Sequence, residues 1–237
     1  MADQNFVFAP RLEITDPNAE VFYGQLLRGT THKLNNLLAV IHGFSSLILM
    51  NENLEASEVD NLKHMKEAAQ SASALSERIL AAGGCSKVTV QEVATQEFIA
   101  GLDAAMREPF AERQIPIQVE AAPGLPNLST DGSRLKDIIM ELLGNAADAA
   151  AEAGGQASIT FRPSADPTRV DIVVENTGST IADLAQIYEP FYSTKDSNHF
   201  GIGLTSAAVL CGQLDITLAG ASADGRTTFV VSVPTTG

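Results

Sequence analysis

Polar residues interrupt an apolar helical pattern around residue 32. His32 lies in the segment Thr31-His-Lys-Leu-Asn-Asn-Leu-Leu38, and Asn is a poor helix former that is seldom placed in mid-helix without a reason. Asn36 follows His32 by four positions, so the two side chains share a helix face. A neutral imidazole nitrogen can accept a phosphoryl group, and a neighbouring amide can position a water. The alternative interpretation is a solvated polar face.

A second polar cluster occurs in an otherwise apolar helical segment. Glu141, Asn145 and Asp148 have i, i+4 and i+7 spacing, which places all three on one helix face. Their apolar neighbours indicate a buried polar site, such as one that binds Mg²⁺ through oxygen. A solvated helix face would explain the two acids but explains the Asn less well.

Glycines form a third cluster. Asn176 and Gly178 follow a strand-like run, and Gly201 and Gly203 open a helical stretch after a polar loop. Glycines at a loop-to-helix junction let backbone N–H groups approach an anion at the positive end of the helix. Lys195, in the loop between them, could meet a phosphate as a point charge. Turn glycines are common, so a single G-x-G is weak evidence.

The elements that position these residues fall into two groups. Apolar residues with helical spacing predict one helix from about 17 to 50 and another over 59–79, ended by Gly83-Gly84. Two long helices joined by a short turn form an antiparallel hairpin. Dimerisation into a four-helix bundle would cover the apolar stripes; alternatively, the hairpin packs on the rest of its own chain. The stripe of the first helix contains Leu27, Leu34, Leu37, Leu38, Ile41, Phe44 and Ile48.

The rest of the chain has mixed character. Its patterns predict helices over 95–113, 132–152, 180–187 and 203–212, and strands over 115–120, 157–162, 170–175, 214–219 and 227–233. The turn-forming cluster 163–168 predicts that the two central strands pair as a hairpin. The fold class is therefore α+β: a tail over 1–16, a helical hairpin over 17–84 and a two-layer domain over 85–237.

Composition excludes several functions. The net charge of −14 repels phosphate backbones and anionic lipid headgroups, so we expect no nucleic-acid partner. No apolar run reaches the ~18 residues of a membrane-spanning helix, and the start of the chain has no signal-peptide pattern. Two cysteines are too few for a disulfide framework. These features predict a cytoplasmic protein that is not inserted in a membrane.

In order and spacing, these segments resemble a bacterial two-component histidine kinase over most of the chain. Any one match is weak evidence, whereas five in register are strong. His32 with Asn35-Asn36-Leu37-Leu38 resembles the phospho-acceptor box, and 141–149 resembles the N box. The segment 174–181 stands at the first glycine box, 188–195 at the F box and 201–204 at the lid glycines.

The resemblance implies a dimeric helical hairpin and an α/β sandwich domain of the histidine kinase and gyrase type that binds ATP. Asn145 would bind the Mg²⁺ of ATP, with Lys195 and the lid glycines holding the phosphates. His32 would take the γ-phosphoryl group and pass it to an Asp of a response-regulator receiver domain. Asn36 matches the position that orients water when the partner is dephosphorylated. The ATP-binding set implied by the resemblance is Glu141, Asn145, Asp148, Asn176, Gly178, Lys195, Gly201 and Gly203.

Three positions depart from the family pattern. Lys33 stands where the family usually has an acidic residue that withdraws the imidazole proton, and the loss of a general base costs ~10²–10⁴ in rate. Lys33 could still draw the phosphoryl group in. Asn176 replaces an Asp that accepts from the adenine amino group, and Thr180 replaces a glycine.

These departures leave three alternatives open. The chain could be a histidine phosphotransferase that relays between receivers, with a degenerate domain that does not bind ATP. It could be an ATPase of the gyrase and mismatch-repair type, in which Glu141 activates water. It could also be a non-enzymatic dimer that holds a partner through its bundle.

Overall fold

The computed structural model describes residues 5–11, 17–51, 53–111, 115–194 and 200–236. The chain divides into two units, one formed by Met1–Leu12 and Lys87–Gly237 and the other by Glu13–Ser86. The second unit is helical, whereas the first contains both sheets of the described chain. The predicted α+β class is therefore confirmed.

The helical unit is a hairpin of α1 (Pro17–Ile48) and α2 (Ala56–Ala82). The helix α2 begins with a capping box, in which the Glu55 backbone N–H donates to Glu58 Oε2 at 2.9 Å. Ser57, a residue type that often caps helices, instead lies inside α2. The reason is that Glu55 and Glu58 satisfy the free N–H groups of the first turn reciprocally, which serine at 57 cannot do.

Small residues occupy three of the four buried positions in the described part of α1. Its buried positions recur every seven residues, as in a helix seam: Gly24, Thr31, Leu38 and Ser45. The buried positions of α2 are also small. Of the predicted apolar stripe, Leu38 is buried, and most of the other members are exposed. Small residues at the other three positions let the two helices approach closely, and the large side chains of the stripe other than Leu38 mostly point away from the seam.

A six-stranded sheet forms one layer of the other unit, in the order β1-β7-β8-β6-β5-β3. Neighbouring strands are antiparallel except β3 and β5, which are parallel. The register Ala157↔Asn176 to Pro163↔Val170 confirms the predicted hairpin of the two central strands. The strands are β1 (Val7–Phe8), β3 (Ile117–Ala121), β5 (Ala157–Pro163), β6 (Arg169–Thr177), β7 (Thr217–Ala223) and β8 (Arg226–Pro234). A separate pair is formed by β2 (Gln91–Val93) and β4 (Leu128–Thr130).

Helices α3 (Thr95–Ala111), α4 (Gly132–Ala153) and α5 (Gly203–Gln213) complete this unit. The core lies between α4 and the sheet, where alternate residues of β6 are buried, as the two-residue period of a strand requires. Asp131 caps α4 by accepting from the Ser133 and Arg134 N–H groups at 3.1 Å. The buried face of α4 consists of Leu135, Ile138, Ile139, Leu142, Leu143, Ala146, Ala147 and Ala150.

Two expectations need correction. The helix predicted over 180–187 is wrong, because a 3₁₀ turn at Gln186–Tyr188 is the helical element of this stretch. Asp183 there accepts from the Ala185 and Gln186 N–H groups at 2.8 and 3.2 Å, a local bond that competes with helix formation. The segment predicted as an N-terminal tail contributes β1, which pairs through Val7↔Gly220 with the edge of the sheet. In the described part of the chain, no helix is long and apolar enough to cross a membrane.

Candidate active site

His32 lies on the exposed side of α1, directly after the buried Thr31 of the seam. Its imidazole is therefore accessible to a reactant from solvent. The neighbours Lys33 and Asn36 are also exposed, and Asn36 is one turn further along the same face. This is the geometry that a phospho-acceptor and a water-positioning amide need.

The other described histidines differ from His32 in their contacts. His42 Nε2 lies 3.3 Å from Gln70 Nε2 of α2, and His64 Nδ1 lies 3.6 Å from Glu67 Oε2. Among the described residues, His32 has no such side-chain partner. His199 lies outside the described residues. Of the described histidines, His32 is therefore the one whose ring nitrogens have no side-chain contact and can react.

In the other unit, α4 carries the three polar residues predicted from their spacing. Glu141, Asn145 and Asp148 are half-buried and alternate with the apolar positions that anchor α4 to the sheet. The packing of α4 therefore fixes the direction of all three side chains. Carboxylate and amide oxygens are ligands that Mg²⁺ accepts, so the donor set fits this ion.

Gly203 brings the start of α5 against this polar face. A Cβ atom at Gly203 would overlap one carboxylate oxygen of Glu141 and lie 2.9 Å from the other. The start of α5, where the helix end favours an anion, therefore lies beside an acidic side chain of α4. The two sequence clusters, N box and lid glycines, meet at this point.

The loop after β6 approaches the later part of α4. A Cβ atom at Gly178 would lie 2.8 Å from the Ala149 carbonyl oxygen and 3.5 Å from Asn176 Nδ2. Asn176 is 4% exposed, and its side-chain nitrogen is buried without a hydrogen-bond partner. A buried unpaired donor is costly, so this amide is placed to receive an acceptor.

Three hydrogen bonds attach this loop to the hairpin formed by β7 and β8. The Gly178 N–H donates to Gly225 O at 2.8 Å, and the Gly225 N–H donates to Thr180 Oγ1 at 3.1 Å. The Ile181 N–H donates to Ser222 Oγ at 2.9 Å. Thr180, which departs from the family glycine, therefore has a structural role: it bonds the loop to the turn.

Gly201 lies before α5 in a left-handed conformation with φ +61°. A Cβ atom there would be 2.6 Å from both Phe191 C and Tyr192 O, so only glycine fits this close approach. Tyr188, earlier in the chain, is bonded to α5, because Thr205 Oγ1 donates to the Tyr188 carbonyl oxygen at 3.0 Å. Lys195, the predicted phosphate-binding cation, lies outside the described residues.

Sequence reasoning missed two parts of this site. The contact of Ala149 with Gly178 gives no pattern in sequence, since alanine at a helix position looks like any core residue. Gly225 was detectable, because Asp-Gly between two strand-like runs favours a tight hairpin turn. Asp224 and Gly225 do have positive φ values of 51° and 71°.

The comparisons with known proteins agree with this geometry. Residues 130–237 match the family of histidine kinase-, DNA gyrase B- and HSP90-like ATPases. After this similarity the α+β unit is called the ATPase domain, and the matched residues include the polar face of α4, the loop after β6, Gly201 and Gly203.

Relatives of the chain include proteins named as sensor kinases. The sensor kinase CckA of Brucella abortus is 28% identical over 198 residues, which are 77% of this chain and 21% of that protein. The sensory histidine kinase/phosphatase NtrB of Rhodobacter capsulatus is 24% identical over 223 residues, 86% of this chain and 59% of that protein. The chain thus spans between about a fifth and three fifths of these relatives.

Solved structures show the same fold. Full-length ShkA in complex with AMPPNP matches 90% of this chain and 47% of that one, with a TM-score of 0.78 and 21% identity. The histidine kinase ThkA in complex with the response regulator TrrA matches 100% of this chain and 77% of that one, with a TM-score of 0.60 and 16% identity. The chain has the fold of the histidine kinases.

Proposed function

We propose that the chain is a two-component histidine kinase that uses Mg-ATP to phosphorylate His32 and passes the phosphoryl group to an Asp of a receiver domain. The observation that carries the proposal is the ATPase domain, in which the polar face of α4 meets the start of α5 at Glu141 and Gly203. An exposed histidine on a preceding helical hairpin supplies the acceptor.

The residues of the ATPase domain fit ATP and Mg²⁺. The side-chain oxygen of Asn145 would hold the metal, with Glu141 and Asp148 on the same face of α4. The N–H groups from Gly201 to the start of α5 bind phosphate oxygens, together with Lys195. Asn176 and Gly178 meet the base. When bound, Mg²⁺ neutralises charge on the phosphates, which is the main requirement of phosphoryl transfer.

On the hairpin, His32 presents a ring nitrogen as the nucleophile. Lys33 adds a positive charge that draws the γ-phosphoryl group toward this exposed face. Asn36 orients a water for the reverse activity, removal of the phosphoryl group from the partner. Since the reaction uses ATP and a receiver domain, we place the protein in the cytoplasm.

We also propose that two hairpins form a four-helix bundle. Leu37, Phe44 and Leu47 of α1 are 64%, 62% and 62% exposed. Contiguous apolar residues of this size on a helix surface mark an interaction site. A second copy of the hairpin covers them in the manner of a helix bundle.

The test is incubation with Mg-ATP followed by intact mass measurement. We expect one added phosphate that is stable in base and lost in acid, and none in His32→Gln. His64→Gln is the matched control, because it makes the same change at an exposed histidine of the same hairpin and should label normally. Labelling of His32→Gln would contradict the assignment.

The same protein distinguishes the relay alternative. A relay would bind no nucleotide at millimolar Mg-ATP in calorimetry, yet would take phosphate from a phosphorylated receiver. Binding of Mg-ATP with self-labelling excludes it. Steady ATP hydrolysis that is abolished by Glu141→Ala and unaffected by His32→Ala would instead indicate the gyrase-type ATPase.

A further inference from the structure

Asn176 is a buried polar residue and the second-last residue of β6. It lies on the same face of β6 as Val170, Ile172 and Val174, all of which are buried. The side chain is 4% exposed, and its Nδ2 atom has no hydrogen-bond partner. The Nδ2 atom is also 3.5 Å from the Cβ position at Gly178, where the loop meets α4.

The backbone around Asn176 is held on both sides. Asn176 pairs with Ala157 of β5 and with Thr227 of β8, and the next residue donates from Thr177 N–H to Gln156 O at 3.0 Å. The Gly178 N–H is bonded to the turn at Gly225. Asn176 therefore cannot leave the site, and the freedom that remains is rotation of its terminal amide, which has a broad, roughly two-fold torsion.

A carboxamide differs from a carboxylate in what it can recognise. The amide has two N–H donors and one carbonyl acceptor, whereas an ionised carboxylate can only accept. Adenine presents a 6-amino donor beside an acceptor nitrogen, and hypoxanthine presents a 6-oxo acceptor beside an N–H donor. An amide that rotates by half a turn can pair with either edge, whereas a carboxylate facing a 6-oxo group meets an acceptor with an acceptor.

We propose that Asn176 makes the nucleotide site tolerant of the 6-position of the purine, so that 6-oxopurine triphosphates bind as well as ATP. This inference rests on the proposed function, in which Asn176 meets the base. The unpaired Nδ2 of Asn176 supplies the donor that a 6-oxo group needs, and the same amide turned over supplies the acceptor that a 6-amino group needs. Asn176 is thus the residue that sets base specificity.

The experiment compares equilibrium dissociation constants of Mg-ATP and Mg-inosine triphosphate for the full chain by calorimetry at pH 8. Inosine triphosphate differs from ATP in the groups at the edge that includes position 6 and lacks the 2-amino group of guanine, so the comparison isolates that edge. We expect the two constants to agree within about 5-fold. In Asn176→Asp we expect the ratio to move by about 10-fold or more in favour of ATP, because an acceptor left facing an acceptor loses a hydrogen bond to a buried group.

Two further variants serve as controls for the Asn176→Asp substitution. Asn176→Ser retains a donor and an acceptor, so its ratio should stay near that of the wild type even if both affinities fall. Asn61→Asp makes the same chemical change at an exposed position of α2 and should alter neither constant. Thermal unfolding of each variant shows whether it is folded.

The outcomes separate this inference from the proposed function. If ATP binds and inosine triphosphate binds more than about 5-fold more weakly, the inference is wrong and the proposed function stands. An unchanged ratio in folded Asn176→Asp would also overturn it. If neither nucleotide binds the wild-type chain, both the inference and the proposed kinase activity fail.

Discussion

The helical hairpin and the ATPase domain bury their apolar residues to different extents. In the ATPase domain, residues such as Leu142, Ile139 and Phe161 are fully buried. In the hairpin, Leu37 is 64% and Phe44 is 62% exposed, while small residues fill the seam between α1 and α2. The domain thus completes its own core, whereas the hairpin leaves apolar surface exposed, which the proposed four-helix bundle would cover.

The largest expected effect comes from charging the exposed stripe. The double substitution Leu37→Glu with Phe44→Glu places four carboxylates in a symmetric dimer interface, two from each chain. We expect the dimer dissociation constant to rise on the order of 10³-fold or more, because central apolar positions dominate interface energetics. Analytical ultracentrifugation over a range of concentrations measures this.

A polar position of the same hairpin provides the control for that double substitution. Glu67→Gln with Lys63→Gln alters exposed side chains of α2 and should leave the dimer constant within a few-fold. A monomeric wild-type chain at all concentrations would remove the basis of the comparison, since the exposed stripe would then have no second copy to cover it.

The next largest effect contrasts the same truncation in the two regions. Leu142→Ala removes a fully buried side chain of α4 and should lower the free energy of unfolding of the ATPase domain by about 2–5 kcal/mol. Leu37→Ala makes the identical change on the exposed stripe and should leave the unfolding of that domain unchanged. Urea denaturation followed by circular dichroism checks both; equal losses would contradict the contrast.

A smaller effect tests how the loop after β6 is held. Thr180→Val keeps the shape of the side chain and removes the oxygen that accepts from the Gly225 N–H at 3.1 Å. We expect a loss of about 0.5–1.5 kcal/mol of stability and faster hydrogen exchange of the Gly225 amide, measured by NMR. Thr180→Ser keeps the hydroxyl and should restore slow exchange; if Val and Ser behave alike, the bond does not hold the loop.

The two regions also differ in how far sequence predicts them. Helix α4 and the pairing of β5 with β6 follow from local signals, namely the periodicity of apolar residues and the turn cluster at 163–168. The hairpin helices were predicted in length, but periodicity identifies an apolar stripe without saying what it faces. The contact between α1 and α2 is formed mainly by small residues such as Gly24 and Ser45. Their role is visible only when the two helices are packed together.

Other parts of the fold and site depend on contacts between residues far apart in the chain. Strand β1 has two residues, too few for any alternation, and its partner Gly220 lies near the other end of the sequence. In the sequence, Thr180 is only a departure from a glycine motif. Its structural role depends on the hydrogen bond that it accepts from the Gly225 N–H in the folded chain. The spacing of Glu141 and Asn145 predicts that they share a helix face. The close approach of Gly203 to Glu141 is seen only when α5 is packed against α4.

The smallest effect is confined to alkaline pH and concerns the two cysteines, one in each region. Burial raises the pKa of the Cys211 thiol to about 12 from its ordinary value of 9.0, because the thiolate would lose its solvation. In the folded domain this thiol stays neutral at pH 8, so iodoacetamide, which reacts with the thiolate, should not modify it. Cys85 of the hairpin is half-buried and should react; both should react in urea.

The same raised pKa gives a pH dependence of stability whose sign can be checked. Below pH 9 the Cys211 thiol is neutral in both the folded and the unfolded chain and contributes nothing to the slope. Between about pH 9 and 12 the unfolded chain has lost this proton and the folded domain has kept it, so the free energy of unfolding falls as pH rises. Burial also raises the pKa of Tyr188 and adds to the fall above its ordinary value of 10.0. Cys211→Ala should make the decline between pH 9 and 10 shallower, whereas Cys85→Ala should leave it unchanged; a decline that both variants share equally would show that the buried thiol is not its source.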